Sequence, residues 1–196
     1  MANVTAVHTD TRQKIINATL LVTAKNGFDR ATTEEISRTA GVSEGIIYHY
    51  FRSKQELYAN MIKERAGNYR EALAKEVAGI GTPKKKLDRL IDFHFEHFTG
   101  KKSIFRGTLD RTNDAPVIKE YLFRIAIAPY SRMIAGIIGE GIKAGEFEDV
   151  DPQVAALNLL GMMQLPAIVM HFGHAEFTVR DAVDNVKKIF FGGILK

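Results

Sequence analysis

An all-α chain of about nine helices is what this sequence predicts, and three observations carry that expectation. No segment alternates apolar and polar residues over the length that a half-buried strand needs. Helix-opening signals recur at Thr32/Glu35, Ser53/Glu56, Thr82-Pro83, Asp151-Pro152 and Thr178/Asp181. Each is a side-chain cap or a proline in the first helical turn, where a missing N–H costs nothing. Between these signals apolar residues return every three or four positions. Three helix starts fall within about twenty residues near the N-terminus, so a compact three-helix head (residues 1–55) is expected to join a larger helical bundle (56–196).

The elements follow in order. Residues 1–8 are expected to form a loose tail. The first helix runs from about Thr11 to Lys25, with Ile15, Ala18 and Val22 on one face, and Asn26-Gly27 ends it. Thr32 and Glu35 make a capping box for the second helix, and Ser43 is placed to cap the third. Ser53 and Glu56 make another box, opening a long fourth helix to about Val77. Thr82-Pro83 opens a fifth through Phe98, ended by Gly100. A short sixth helix fits about Ser103–Thr112. The seventh starts near Ala115 and ends before Gly145, and Pro129 must kink it because a proline removes a backbone bond and crowds the preceding turn. Asp151-Pro152 opens an eighth helix to about Phe172, kinked again at Pro166. Thr178 and Asp181 cap a ninth, to about Phe191.

Composition bounds the chemistry. The 196 residues are 45% hydrophobic and 26% charged, with a net charge of +4. There is no cysteine, hence no disulfide and no thiol chemistry. The most apolar stretch, Val154–Phe172, is interrupted by Asn158, Gln164 and Pro166, so no run is expected to span a membrane. The N-terminus has no apolar signal core, and a cytoplasmic location is expected. No glycine-rich phosphate loop, paired carboxylates in an apolar stretch or nucleophile motif is present, so neither an enzyme nor a bound cofactor is expected. The charge suits a polyanionic partner, but residues 1–54 hold only seven Lys/Arg against five Asp/Glu. Affinity for such a partner must therefore come from local arrangement.

That arrangement is found in residues 32–57, TTEEISRTAGVSEGIIYHYFRSKQEL. Two short helical patterns flank the tight Ala40-Gly41-Val42-Ser43 turn, the form in which a helix-turn-helix offers its second helix to a DNA major groove. On a wheel of 100° per residue Ile47 and Phe51 fall on one side, against Ile36, Ala40 and Val42. Gly45, Tyr48 and His49 face the other way, with Glu44 and Ile46 at the margins. The tyrosine hydroxyl and the amides at the helix start suit phosphate, and Gly45 lets the backbone approach closely. Glu44 could accept from a cytosine amino group, and Ile46 could touch a thymine methyl. Lys54 would add a phosphate contact. A helix-turn-helix shape alone also occurs as plain packing in all-α proteins.

The window closely resembles the TetR family of transcriptional regulators. The pattern is carried by Ile15, Ala18, Gly27-Phe28, Thr32-Thr33, Ile36, Ala40-Gly41-Val42-Ser43, Gly45, Ile47-Tyr48, Tyr50-Phe51, Ser53-Lys54 and Leu57, over about residues 10–58. The resemblance implies a dimer whose recognition helices enter successive major grooves of a palindromic operator. It also implies DNA contacts from Thr33, Ser43, Glu44, Gly45, Tyr48, His49 and Lys54. Two positions depart from the pattern: Thr19 stands where the family usually has alanine and Thr23 where it has a large apolar residue. Both are expected to loosen the packing of the first helix.

For residues 80–196 the resemblance is to architecture only, a ligand-binding and dimerisation bundle. The residues agree with it. His94, Phe98, Phe105, Tyr121, Leu122, Ile125, Met163 and Met170 are candidates to line an apolar effector cavity between helices, the alternative being solid core. The eighth helix is apolar nearly all round and the ninth carries Val179, Val183, Val186, Ile189 and Phe190. A helix apolar on every side needs two partners. The resemblance implies that these two helices form a homodimer interface. His94/His97 and His171/His174 share i,i+3 spacing but lack a third ligand, so no metal site is assigned. Lys84-Lys85-Lys86 reads as a solvated helix start. The expected function is a ligand-responsive repressor, bound to operator DNA as a dimer and released by a small, largely apolar effector. A small-molecule-binding enzyme and a dimeric interaction module without a DNA role are the alternatives.

Overall fold

The computed structural model describes residues 2–98, 120–171 and 173–196. Among them are eight α-helices: α1 (Ala2–Asn26), α2 (Thr33–Ala40), α3 (Glu44–Tyr50), α4 (Lys54–Val77), α5 (Pro83–Phe98), α6 (Ala128–Lys143), α7 (Pro152–His171) and α8 (Val179–Ile194). The predicted sixth helix, with Phe105, lies outside the described residues. The predicted eighth and ninth helices are α7 and α8. The described residues divide into two compact units, a head of residues 2–67 and 120–126 and a body of 68–98, 127–171 and 173–196.

In the head, α1 begins at Ala2, so the expected loose tail is helical. No glycine or proline precedes Gly27, and nothing in the sequence interrupts the helix before that point. Gly27 ends α1 in the left-handed conformation (φ 78°), its N–H on the Thr23 carbonyl at 2.8 Å. The core gathers Ile15, Ile16, Ala18, Val22, Phe28, Ile36, Ile47, Phe51, Leu57, Tyr58, Met61 and Ile62. Thr19 and Thr23 do not loosen this packing. Both are buried, and their hydroxyls donate to the carbonyls one turn back, Ile15 at 2.8 Å and Thr19 at 2.7 Å, which removes the cost of burying them.

The predicted caps are partly rearranged. Thr32 Oγ1 accepts from the Glu35 N–H at 3.1 Å, but the Glu35 carboxylate takes Asn26 Nδ2 at 2.7 Å instead of closing the box. Ser53 Oγ caps the Glu56 N–H at 3.1 Å, while Glu56 reaches one residue past the cap to the Arg52 N–H at 2.8 Å. Ser43 holds the N-cap position of α3, but its side chain makes no cap bond. Gly41, between α2 and α3, has φ 69°, a conformation that glycine adopts without strain.

In the body, α5 buries Leu87, Leu90, Ile91, His94 and Phe98 at helical spacing, with Phe93 and Phe95 beside them. It packs with α6, α7 and α8, and α6 packs on α7. The Thr178/Asp181 box of α8 is complete: Thr178 Oγ1 accepts from the Asp181 N–H at 3.1 Å and Asp181 Oδ2 accepts from the Thr178 N–H at 2.8 Å. The Thr178 bonds hold the Asp181 carboxyl below its ordinary value. Pro129 is accommodated by a π-helical turn, Phe123–Ile127, immediately before α6. One expectation is corrected. Glu120–Lys143 and Pro152–His171 are each long and apolar enough to cross a membrane by length and composition alone. In Pro152–His171 the interruptions Asn158 and Gln164 lower mean hydropathy less than the surrounding leucine and methionine raise it; in the fold the two helices bury Ile134, Ile138, Leu159 and Met163 in the body core.

Candidate nucleic-acid interface and effector site

The third helix is fixed by its inner face. Ile47 and Phe51 are 1% and 2% exposed, so α3 is anchored to the head core through residues four apart. Its outer face presents Tyr48, 52% exposed, and Ile46, 38% exposed, with Ser43, Glu44, Gly45 and His49 also exposed. Burying two large apolar side chains at about 2 kcal/mol each gives a seven-residue helix, too short to persist alone, a defined orientation.

The outer face is cross-linked to α2. Thr33 Oγ1 donates to Glu44 Oε1. Tyr48 Oη lies 3.4 Å from Thr33 Oγ1. Since the Thr33 proton is committed to Glu44, Tyr48 donates there. Thr33 is half-buried, and in this state the Glu44 carboxylate is occupied within the head.

Lys54 is engaged in the same way. Its ammonium donates to the Asp29 carbonyl at 3.2 Å and lies 4.4 Å from the centre of the Phe28 ring, a cation–π contact. Burial lowers its pKa, and Asp29 partly opposes the shift. Lys54 thus ties the start of α4 to the turn after α1.

The body holds a buried polar chain. Tyr69 Oη donates to Tyr130 Oη at 3.2 Å, and Tyr130 Oη lies 3.3 Å from His94 Nδ1. His94 is fully buried, stacked on Phe98 at 4.1 Å and 14°. Burial, and then the neighbouring His97, push its pKa down to about 3, so the ring is neutral at physiological pH. Burial likewise raises the hydroxyl pKa values of Tyr69 and Tyr130.

The remaining sequence candidates separate. Phe98 and Met163 are buried in the body and Met170 is half-buried. Leu122 and Ile125 pack on the head core, and Tyr121 is 41% exposed. His97 stacks on Phe93 at 3.8 Å, with Nδ1 3.0 Å from the Phe93 carbonyl. No group of three or more His, Cys, Asp or Glu side chains converges among the described residues. Lys86 pairs with Glu140 at 2.6 Å, and Lys84 lies 6.0 Å from the Phe191 ring centre, so this basic run is partly tied into the body.

Two family models match the chain in tandem. The model of bacterial regulatory proteins of the tetR family covers residues 15–61, and that of the tetracyclin repressor-like C-terminal domain covers 81–167. The chain belongs to the TetR family. It is a ligand-responsive transcriptional regulator with a helix-turn-helix head. A similar relative is the fatty acid metabolism regulator protein of Bacillus subtilis (strain 168), 25% identical over 182 residues, 92% of this chain and 94% of that protein. The crystal structure of FadR from Bacillus subtilis in complex with stearoyl-CoA superposes with a TM-score of 0.81 at 25% identity, covering 92% and 98% of the two chains. A transcriptional regulator from Saccharomonospora viridis, solved in complex with choline, has a TM-score of 0.81 at 19% identity, covering 96% and 99%. One fold thus accompanies very different ligands, and the fold by itself does not select the effector.

In this TetR-family body, residue-by-residue reading of the sequence missed Tyr69 and Tyr130. The available signal was general: a tyrosine on an otherwise apolar helical face must find a partner for its hydroxyl. It also missed Arg12, whose guanidinium sits 5.4 Å from the centre of the Phe51 ring and donates to Asn60 Oδ1 at 2.8 Å.

Proposed function

We propose that this TetR-family protein is a cytoplasmic homodimeric repressor whose effector is a long-chain acyl thioester. The observation that carries the effector class is the near end-to-end likeness to a fatty acid metabolism regulator crystallised with stearoyl-CoA. In this reading residues 1–55 form the DNA-binding domain and 56–196 the effector and dimerisation domain. Thr33, Ser43, Glu44, Gly45, Ile46, Tyr48, His49 and Lys54 meet the operator. Tyr48 and the α3 amides take phosphate, while Glu44 and Ile46 meet base edges once Glu44 exchanges Thr33 for a base. The protein catalyses nothing and needs no membrane.

The second subunit docks on α7 and α8. Val154, Leu157, Leu165 and Ile189 are 56%, 44%, 64% and 59% exposed, and a cleft of about 370 Å³ between these helices is lined by Val154, Asn158, Met162, Ile189 and Phe190. Leaving four large apolar side chains in water is costly, and a two-fold copy of the same face removes that cost. Two heads then reach half-sites about 34 Å apart. Effector binding favours a dimer form that loses this spacing, with α4 transmitting the change.

Gel-shift titration on a selected palindromic operator tests the proposal. Stearoyl-CoA should release the wild-type protein where choline does not, and Ile189→Asp should sediment as a monomer with little operator affinity. Operator binding indifferent to stearoyl-CoA would rule out the effector class. A dimeric Ile189→Asp would rule out the docking face.

A further inference from the structure

Among the described residues, His94 has a donor and no acceptor to give it to. Tyr69 donates to Tyr130 Oη, which leaves the Tyr130 proton for His94 Nδ1. Nδ1 is therefore the acceptor, and the ring proton belongs on Nε2. Nε2 is buried, and no hydrogen-bond partner meets it among the described residues. A buried N–H left unpaired is costly, and such a group in a native protein calls for an occupant. Phe98 stacks on the ring at 4.1 Å and 14°, and the Tyr130 ring is parallel to it at 6.1 Å and 8°, so the plane of the imidazole is set while the Tyr130 hydroxyl holds Nδ1.

The surroundings say which acceptor fits. Among the described residues the ring meets Tyr130, Phe98 and Phe95, Tyr69 is bonded to the far side of the Tyr130 hydroxyl, and His97 is the neighbouring titratable group. No cation pairs with His94 among these, and the imidazole itself is uncharged at neutral pH. A carboxylate here would be a buried charge with no counter-charge among the described residues, whereas a carbonyl would be an uncharged acceptor for an uncharged donor.

We infer that His94 Nε2 donates to the acyl carbonyl of the effector, and that Tyr130 and Tyr69 are positioning residues that hold the ring in the donating tautomer. This rests on the effector class proposed above. It goes beyond that class in assigning recognition of the thioester to one atom, and it predicts that the thioester binds more tightly than the free fatty acid anion.

The test compares stearoyl-CoA with S-octadecyl-CoA, the thioether that lacks only the carbonyl oxygen, by calorimetric titration of the full-length protein. Wild type should bind the thioester roughly three- to tenfold more tightly, the range of one uncharged hydrogen bond. His94→Phe, which keeps the stacking and loses the donor, should bind both alike. His94→Gln, which keeps an N–H, should recover part of the preference. Nitrogen chemical shifts of histidine-labelled protein should show Nε2 protonated in the wild type and a mixture of tautomers in Tyr130→Phe, a readout that a merely structural hydroxyl would not move. If stearoyl-CoA does not bind, the effector class falls and this assignment falls with it. If it binds but wild type does not discriminate the thioether, if His94→Phe still discriminates, or if Nδ1 carries the proton, the assignment alone is overturned.

Discussion

The head and the body of this regulator solve opposite problems with polar groups. In the head, the polar side chains proposed to meet DNA lie at the surface and are already linked: Thr33 to Glu44 and Tyr48, Lys54 to Asp29 and Phe28. In the body, the polar chain Tyr69–Tyr130–His94 is buried and ends on an unpaired nitrogen among the described residues. An exposed surface can exchange one partner for another at little cost, since water is always an alternative. A buried group has no such alternative, so an unmet donor there discriminates between ligands that answer it and ligands that do not. The first arrangement suits rapid engagement of a polyanion, the second the recognition of one functional group.

The largest effect is expected at the head core. Phe51→Ala removes a ring that is 2% exposed and should cost about 3–5 kcal/mol of head stability. Operator binding should disappear in gel shifts while calorimetric binding of stearoyl-CoA persists. Loss of both together would show that head and body do not fold as separable units.

The next effect belongs to the body and is a pH dependence. Unfolded His94 should titrate near 6.5, and in the fold it titrates at about 3. Between those values the unfolded chain holds the extra proton, so stability falls as pH falls from 6.5 towards 3. The slope contributed by this ring approaches about 1.4 kcal/mol per pH unit. Urea midpoints measured from pH 7 to pH 4.5 should fall more steeply for the wild type than for His94→Phe. Parallel curves would mean that His94 is not buried as a neutral ring.

The same two regions differ in how far the sequence disclosed them. The Thr178/Asp181 box, the tight turn at Gly41 and the Ile47/Phe51 anchor are all local, set by residues no more than four apart, and each was legible. The rearranged caps mark where local reading fails: Glu35 prefers Asn26, nine residues away, and no short-range rule weighs that competitor. Thr19 and Thr23 read as misfits because residue type shows the hydroxyl but not the carbonyl one turn back that satisfies it. His94 was legible as a polar residue on an apolar stripe. Its partners were not, because Tyr130 is 36 residues away and Tyr69 is 61 from Tyr130, a pairing that only the packed body creates.

The smallest effect lies on the reading face and separates two kinds of contact within it. Tyr48→Phe deletes one hydroxyl that donates to Thr33 in the free head and is proposed to donate to phosphate on DNA. Affinity for the operator should fall by roughly five- to tenfold, about 1 kcal/mol, with the salt dependence unchanged because no charge is lost. Lys54→Ala should behave differently on the same gels. It removes a charge, so the slope of log affinity against log salt should flatten by about one. It also removes the cation from the Phe28 ring, so head stability should drop by about 0.5–1 kcal/mol, visible as a lower urea midpoint without DNA. A variant that lost stability but kept the full salt slope would place Lys54 among the residues that build the head and remove it from those that touch phosphate.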